Sequence, residues 1–287
     1  MSKRKTRDRQ LARLAARRAA QRRRRKRQRI IAGVVAVALA AGGGTGLYLA
    51  FTGGGGKSNP RAQTTPSAKV THGTGKQTGT VKPKAPPKAV ACGASAPRGA
   101  GKPKPQFNGP PPLTIDKNAT YTATMKTSCG TIVMKLLPKQ APETVNSFVF
   151  LAKHHFFDGQ YFHRIDTSID VLQGGDPTGT GAGSPGYSLP DEVSGTPMYP
   201  PGTLAMAHAA APNSGGSQFL LIVGPNGKNL DSCSATPPCY TIFGTIIKGL
   251  DVGKRIEQIP VVDASSISTQ TPKQTVYIDS VTIKVKK

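Results

Sequence analysis

Side chains that could act as nucleophiles, metal ligands or acid–base pairs are scattered in this 287-residue sequence. It contains no GxSxG, HExxH, GxxxxGKS or GxxxxGKT pattern, so the signatures of serine nucleophiles, zinc proteases and phosphate loops are missing. His154 and His155 adjoin at the predicted end of a helix, and Asp191 and Glu192 fit a solvated turn. Chemistry that needs an activated nucleophile or a metal therefore has little support.

Five short strings stand out instead, in a fixed order along the second half of the chain. They are Phe162-His163-Arg164-Ile165, Gln173-Gly174-Gly175-Asp176, Pro201-Gly202-Thr203-Leu204-Ala205-Met206-Ala207, Gly216-Ser217-Gln218-Phe219 and Tyr240-Thr241-Ile242-Phe243-Gly244. In this order and spacing they resemble the cyclophilin family of prolyl isomerases. The stretch 130–159, with its Ala-Pro-Glu-Thr-Val helix opening at 141–145, resembles the same family, so that the resemblance covers 119–287.

The resemblance implies a fold, a substrate and a set of site residues. The implied fold is an eight-stranded antiparallel β-barrel capped by two helices, and the implied substrate is an extended X-Pro segment of another protein, bound without cofactor or metal. Arg164 is the implied catalytic residue, with Gln173 holding it and the substrate backbone. The implied substrate-binding residues are Phe162, Ile169, Val171, Ala207, His208, Gln218, Leu220, Leu230 and Tyr240.

An arginine suits this reaction because rotation about X-Pro is opposed by amide resonance, with a barrier of about 18–20 kcal/mol. At the twisted transition state the prolyl nitrogen regains a basic lone pair. A donor aimed at that nitrogen binds the transition state better than the ground state, which is catalysis by differential binding. A guanidinium is permanently charged and rigidly forked.

The sequence departs from the family pattern around the proline pocket. The segment 166–172 is one residue longer than usual, so a pocket phenylalanine falls on Ile169 or Asp170, and Leu220 replaces a second one. Val171, His208 and Tyr240 also replace the common residues. We expect a shallower and less aromatic pocket, weak isomerase activity and poor binding of cyclosporin.

The elements that must position these residues are mainly β-strands. Helices are predicted to open at Pro142, with an apolar face at i, i+3, i+4 and i+7, and to run from 250 to 259. Eight strands are predicted at 121–126, 131–137, 161–164, 169–173, 203–208, 218–223, 241–247 and 276–284. Many short strands with two helices favour a capped barrel.

Four cysteines, none of them in a CxxC pair, allow three disulfide pairings. Cys233 with Cys239 is favoured because the intervening Ser-Ala-Thr-Pro-Pro is prone to turn, which leaves Cys92 with Cys129. Four free thiols in a reducing compartment are the alternative.

Charge divides the chain into four parts. Residues 1–29 carry 15 Lys and Arg and one acid, 30–51 carry no charge, 52–112 carry ten Lys and Arg and no acid, and 113–287 carry 14 Lys and Arg and 13 acids. We interpret these as a cytoplasmic segment, a transmembrane anchor, a disordered Gly/Pro/Lys/Thr-rich linker and an extracytoplasmic isomerase domain. A signal sequence cleaved near Ala40, giving a secreted protein, is the alternative for 30–51.

The sequence therefore predicts a membrane-anchored prolyl isomerase that assists the folding of extracytoplasmic proteins. The alternative is a catalytically weak or inactive cyclophilin-like module that binds proline-containing segments as a chaperone. We expect proline-containing polypeptides and the membrane as partners, no nucleic acid, and a monomer.

Overall fold

The computed structural model describes residues 71–233 and 239–287. Within these ranges the chain forms a two-stranded ribbon and a nine-stranded antiparallel sheet. The ribbon pairs β1 (Gln77–Val81) with β2 (Lys104–Phe107). The sheet contains β3 (Thr120–Thr127), β4 (Gly130–Leu136), β5 (Gln160–Tyr161), β6 (Arg164–Asp166), β7 (Val171–Gly174), β8 (Thr203–Met206), β9 (Phe219–Ile222), β10 (Ile242–Lys248) and β11 (Tyr277–Lys286).

The strand order is β5-β11-β3-β4-β10-β8-β9-β7-β6, which places β5 and β6 at the two ends of the sheet. Only two residues separate these end strands along the chain. The Phe162 N–H bonds the Val276 carbonyl at 3.1 Å, and the His163 N–H bonds the Gln173 carbonyl at 3.1 Å. Adjacent residues of one short segment therefore bond to β7, near one end of the sheet, and to the start of β11, near the other end. The two ends must lie close together, so the sheet is curled.

Eight strands were predicted for this sheet and nine are present, and the difference comes from the same segment. The predicted strand 161–164 is divided into β5 and β6, because its middle residues change hydrogen-bonding neighbours. Mainly β architecture with two α-helices is confirmed in the described residues: α1 is Pro142–Lys153 and α2 is Leu250–Glu257. Three short 3-10 helices span Ala91–Gly93, Pro225–Leu230 and Ile267–Thr269.

Helix α1 begins with proline at its first turn and buries the predicted apolar face, including Val145 and Phe148. Its N-terminal N–H groups are satisfied from a distance: the Glu192 carboxylate accepts from the Glu143 N–H at 2.9 Å and from the Thr144 N–H at 2.8 Å. Glu192 is therefore a helix cap and not the solvated turn residue that the sequence suggested. Such a carboxylate compensates the helix N-terminus, where Ala141 offers no side-chain acceptor.

The main core packs side chains of the curled sheet against those of α1 and α2. Its centre is a group of phenylalanines, in which the Phe148 ring lies 4.9 Å from Phe157, 5.3 Å from Phe243 and 6.1 Å from Phe219. All four rings are no more than 1% exposed. Burial of this apolar surface is the main stabilising contribution to such a domain.

Residues 71–112, which we call the strap, were predicted to belong to a disordered linker, and this part of the prediction is wrong. Phe107 is 2% exposed, and its ring meets Phe150 edge-on at 4.9 Å. Hydrogen bonds tie the strap to the domain at Thr275 and Pro185. The strap was expected to be disordered because it has few large apolar residues. A few buried side chains, backbone hydrogen bonds and a disulfide are enough to hold it in place.

Both predicted disulfides are present. Cys92 pairs with Cys129, joining the strap to the β3–β4 turn, and Cys233 pairs with Cys239.

The predicted basic segment 1–29, the predicted transmembrane anchor 30–51 and part of the predicted linker, 52–70, lie outside the described residues. Among the helices of 71–233 and 239–287, none has the length and apolar character to cross a bilayer.

Candidate active site

Arg164 is the centre of a row of polar side chains on the outer strands β6 and β7. Its Nε donates to Gln270 Oε1 at 2.7 Å, its Nη1 donates to Gln173 Oε1 at 3.1 Å, and its Nη2 donates to Asp166 Oδ2. A guanidinium has five N–H donors, so two remain beyond these bonds to described residues. The plane of the guanidinium is fixed while part of its donor capacity stays open.

Strand register explains why these groups meet. Arg164 is paired directly with Gln173 between antiparallel β6 and β7, and Asp166 follows two residues after Arg164 on the same face of β6. The side chains of Arg164 and Asp166 are only 14% and 6% exposed. Their interaction is therefore less screened than that of a surface ion pair.

The polar row continues through two glutamines to a glycine-rich loop. Gln173 Nε2 donates to Gln218 Oε1 at 2.9 Å, and Gln218 Nε2 donates to the carbonyls of Gly181 (3.0 Å) and Gly183 (2.9 Å). We call residues 178–186 the glycine loop. Each glutamine amide accepts on one side and donates on the other, so the orientation of both side chains is set.

A small apolar cluster adjoins this row, and we call the surface formed by its partly buried residues the apolar pocket. The fully buried residues of a second, small cluster include Val171, Leu220 and Ala205, and partly buried residues pack around them. The predicted site residues brought together in this cluster are Ile169, Val171, Ala207, Leu220, Leu230 and Tyr240. His208 joins them, because its ring stacks on Tyr240 with centroids 4.5 Å apart.

A guanidinium oriented by three acceptors beside an apolar pocket can present N–H donors to a ligand group while the pocket holds an apolar ring. Residues 122–283 match the model of the family described as cyclophilin type peptidyl-prolyl cis-trans isomerase/CLD. The chain belongs to this family.

Curated relatives carry the corresponding names. A Mycobacterium tuberculosis protein named probable peptidyl-prolyl cis-trans isomerase B is 41% identical over 142 residues, which are 45% of this chain and 43% of that protein. A Helicobacter pylori peptidyl-prolyl cis-trans isomerase is 39% identical over 52% of this chain and 88% of its own length. One from Synechococcus elongatus is 38% identical over 49% and 95%. The match thus spans less than half of the mycobacterial relative.

In this cyclophilin-type domain the extra residue of segment 166–172 is accommodated at Asp170. Asp170 has a left-handed backbone, with φ of 51°, and its carboxylate accepts from the Asn226 N–H at 2.7 Å and from Asn226 Nδ2 at 2.8 Å. Ile169 packs on the pocket instead. Of the two residues that the sequence left open for this position, Ile169 is therefore the one that contacts the apolar cluster.

Phe162 is the predicted substrate-binding residue that the structure places elsewhere. It is 1% exposed in the main core, where its ring lies 6.2 Å from Phe219. In this arrangement it cannot reach a bound peptide.

His163, next to Arg164, is buried, and both of its ring nitrogens lack a partner among the described residues. The pKa of His163 is lowered to about 4, mainly by burial; the Asp176 charge opposes the shift and the Arg164 charge adds to it. The ring is thus neutral at neutral pH. A second positive charge beside the guanidinium is avoided, and His163 is not available as an acid.

Tyr240 joins the pocket to the polar row. Burial raises the pKa of its phenol, while the positive charge of Arg164 opposes the rise and the negative charge of Asp166 adds to it. An open cleft of about 290 Å³ adjoins the pocket at Tyr240 and Ile242, and Met198 beside it is 69% exposed. The apolar pocket is therefore continuous with an open cleft at the surface.

Sequence reasoning missed two partners of Arg164. Asp166 had a signal, since a carboxylate two residues along a strand shares the face of an arginine. Gln270 had none, because it lies 106 residues away and approaches only through the packing of the loop before β11.

Proposed function

We propose that the protein is a peptidyl-prolyl cis–trans isomerase acting on X-Pro bonds of polypeptides. The observation that carries the proposal is the Arg164 guanidinium, oriented by Gln270, Gln173 and Asp166 at the border of an apolar pocket. The pocket takes the prolyl ring, and a free N–H of Arg164 faces the prolyl nitrogen. Gln173 and Gln218 bind the peptide backbone next to the proline.

In this mechanism the protein forms no covalent bond and moves no proton. As the X-Pro bond twists, the prolyl nitrogen becomes pyramidal and its lone pair accepts a hydrogen bond from Arg164. This bond exists only in the twisted state, so it lowers the barrier and not the ground-state energy. Because the guanidinium is held before the substrate binds, little reorganisation opposes the reaction.

The direct test is an exchange assay on an Ala-Pro peptide with the full chain. Wild-type protein should accelerate exchange, and Arg164→Ala should lower kcat by about 100- to 1000-fold, the usual loss for one transition-state donor. Arg98→Ala, an exposed arginine of the strap, should leave the rate unchanged. No acceleration by folded wild-type protein would overturn the proposal.

A second candidate function is proline-segment binding without useful turnover. The aliphatic pocket favours it, because Ile169, Val171 and Leu220 offer less contact area to a prolyl ring than aromatic side chains would. Peptide binding that survives Arg164→Ala, together with an undetectable wild-type rate, would support this function.

We further propose that the protein acts outside the cytoplasm as a monomer, assisting the folding of secreted or envelope proteins. The support is the sequence 30–51, which is uncharged and long enough for a bilayer, preceded by 15 Lys and Arg. Two disulfides in the described chain fit an oxidising compartment. Cleavage near Ala40 is the competing arrangement.

A further inference from the structure

The strap carries most of the excess positive charge of the described chain. Residues 71–112 contain seven Lys and Arg and no Asp or Glu, whereas 113–287 contain 14 Lys and Arg and 13 acids. The exposed cations of the strap are Lys76, Lys82, Lys84, Lys88, Arg98 and Lys102. The strap also lies wholly outside the residues that match the family model.

The strap is fixed along the glycine loop by contacts at both ends of that loop. At one end the Lys84 N–H donates to the Thr178 carbonyl at 2.7 Å, and the Lys84 carbonyl accepts from the Tyr161 hydroxyl at 3.1 Å. At the other end Gln106 Nε2 donates to the Ser184 carbonyl at 2.9 Å. The main chain at Lys84 is therefore held beside the loop.

The glycine loop connects Lys84 to Gln218, one of the two glutamines proposed to bind the substrate. The Asp176 carboxylate accepts from the N–H groups of both Thr178 and Gly181, which keeps these residues close, and the Gly181 carbonyl accepts from Gln218. Summing these contacts with the reach of the intervening chain puts the Lys84 backbone within about 15 Å of the Gln218 amide. An extended peptide covers that distance in about four or five residues.

We propose that Lys82 and Lys84 make the site selective for polypeptides with Asp or Glu about four or five residues from the isomerised proline, on the side that passes Gln218. This inference rests on the proposed isomerase function and names its substrate class. The two ammonium groups attract the acidic side chains equally in the ground state and in the twisted transition state. They therefore lower KM and leave kcat unchanged.

The size of the effect follows from exposed ion pairs, each of which changes binding by about 1.5- to 5-fold at moderate salt. Two lysines together should lower KM by about 3- to 10-fold for an acidic peptide. The effect should disappear at high salt, because exposed charges are screened over about 3 Å at 1 M.

The test uses the full chain and two pairs of peptides with a central Gly-Ala-Pro-Phe. One pair carries three glutamates or three glutamines starting four residues before the proline, and the other carries the same blocks after it. With wild-type protein, KM should be 3- to 10-fold lower for the glutamate peptide of one pair at 50 mM salt, with equal kcat. Lys82→Glu/Lys84→Glu should remove or reverse this preference.

The matched control is Arg98→Glu/Lys102→Glu, which makes the same change in charge elsewhere on the strap. Arg98 and Lys102 lie close to Gly99 in the sequence. The buried Lys104 ammonium donates to the carbonyls of both Gly99 and Asp158, so this part of the strap is held at Asp158 and not at the glycine loop. This control should keep the preference for glutamate.

Other outcomes would overturn the inference. Equal KM values for both peptides of each pair, with turnover intact, would refute the selectivity and leave the isomerase proposal standing. Equal losses in both double variants would show a general effect of net charge.

If no peptide is turned over, the same comparison of dissociation constants decides the selectivity alone. Binding to phosphatidylglycerol vesicles that needs Lys82 and Lys84, without peptide preference, would assign them to a membrane.

Discussion

At the scale of single residues, Arg164 is held by acceptors from three different parts of the chain. Gln173 lies on the neighbouring strand, Asp166 on the same strand, and Gln270 in the loop before β11. Each bond removes rotational freedom from the guanidinium before a substrate arrives. The neutral His163 beside it adds no competing charge, so in the proposed mechanism the developing lone pair meets one oriented cation.

A carboxyl pair close to the site makes stability depend on pH. Burial, the Asp170 charge and a hydrogen bond to Asp170 raise the pKa of Glu257 to about 7, while Lys254 opposes the shift. Glu257 projects from α2, and Asp170 directly precedes Val171 of the pocket. Two neighbouring carboxylates repel each other, so the interaction stabilises the fold while Glu257 keeps its proton and weakens when Glu257 ionises.

We predict that this contact contributes most below pH 4.5, the ordinary value for Glu257, and is lost as pH rises through about 7. Glu257→Gln supplies an amide donor to Asp170 at every pH. Relative to wild type it should gain about 1 kcal/mol of unfolding free energy between pH 4.5 and 8, a figure reduced for solvent screening. Urea unfolding at several pH values measures this, and a difference independent of pH would contradict it.

At the scale of elements, the strap is a second layer that supports the glycine loop and is tied to the β3–β4 turn by Cys92–Cys129. Deep burial of Phe107 and Ala91 anchors it at two further points. It therefore links the position of Gln218 to a segment that the family match does not include. The buried Lys104 also holds the strap in place, because two carbonyls accept hydrogen bonds from its ammonium. Burial lowers the pKa of this lysine.

The two disulfides should differ in their contribution to stability. Cys92–Cys129 spans 37 residues and Cys233–Cys239 spans 6. From loop-closure entropy, Cys92→Ser/Cys129→Ser should cost about 3–4 kcal/mol and Cys233→Ser/Cys239→Ser about 2 kcal/mol. Thermal unfolding of the two double variants compares them. A larger loss for the short loop would show that unfolded-chain entropy is not the dominant effect here.

At the scale of the whole molecule, charge is distributed by segment. The domain from 113 onward is close to neutral, while the two basic segments lie on either side of the uncharged stretch 30–51. The high isoelectric point of about 10.3 therefore does not imply a nucleic-acid surface on the β-domain.

This distribution predicts an orientation in the membrane. In intact cells, protease added outside should digest the β-domain, while an epitope placed before residue 30 stays protected, because Lys and Arg are retained on the cytoplasmic side. The N-terminal sequence of the purified protein is the control. A protein that begins just after Ala40 would show a cleaved signal sequence, and a protected β-domain would contradict the extracytoplasmic location.

The sequence predicted those features that depend on local strings. Arg164, Gln173, Ala207, Gln218 and Tyr240 lie in strings of fixed order, and the register of β6 and β7 pairs Arg164 with Gln173. Gln270 and the strap were missed because their contacts join residues distant in sequence and leave no periodic pattern. The division of β5 from β6 was missed because it follows from the curl of the whole sheet.

The central claim is that Arg164 stabilises the transition state. The most direct test measures the dissociation constant and kcat for one Ala-Pro peptide by exchange spectroscopy, with the full chain as wild type and as Arg164→Ala. Since the proposed hydrogen bond forms only in the twisted state, the dissociation constant should change by no more than about threefold while kcat falls by about 100-fold or more. A wild-type rate in the variant would contradict the account. So would a loss of binding as large as the loss of rate.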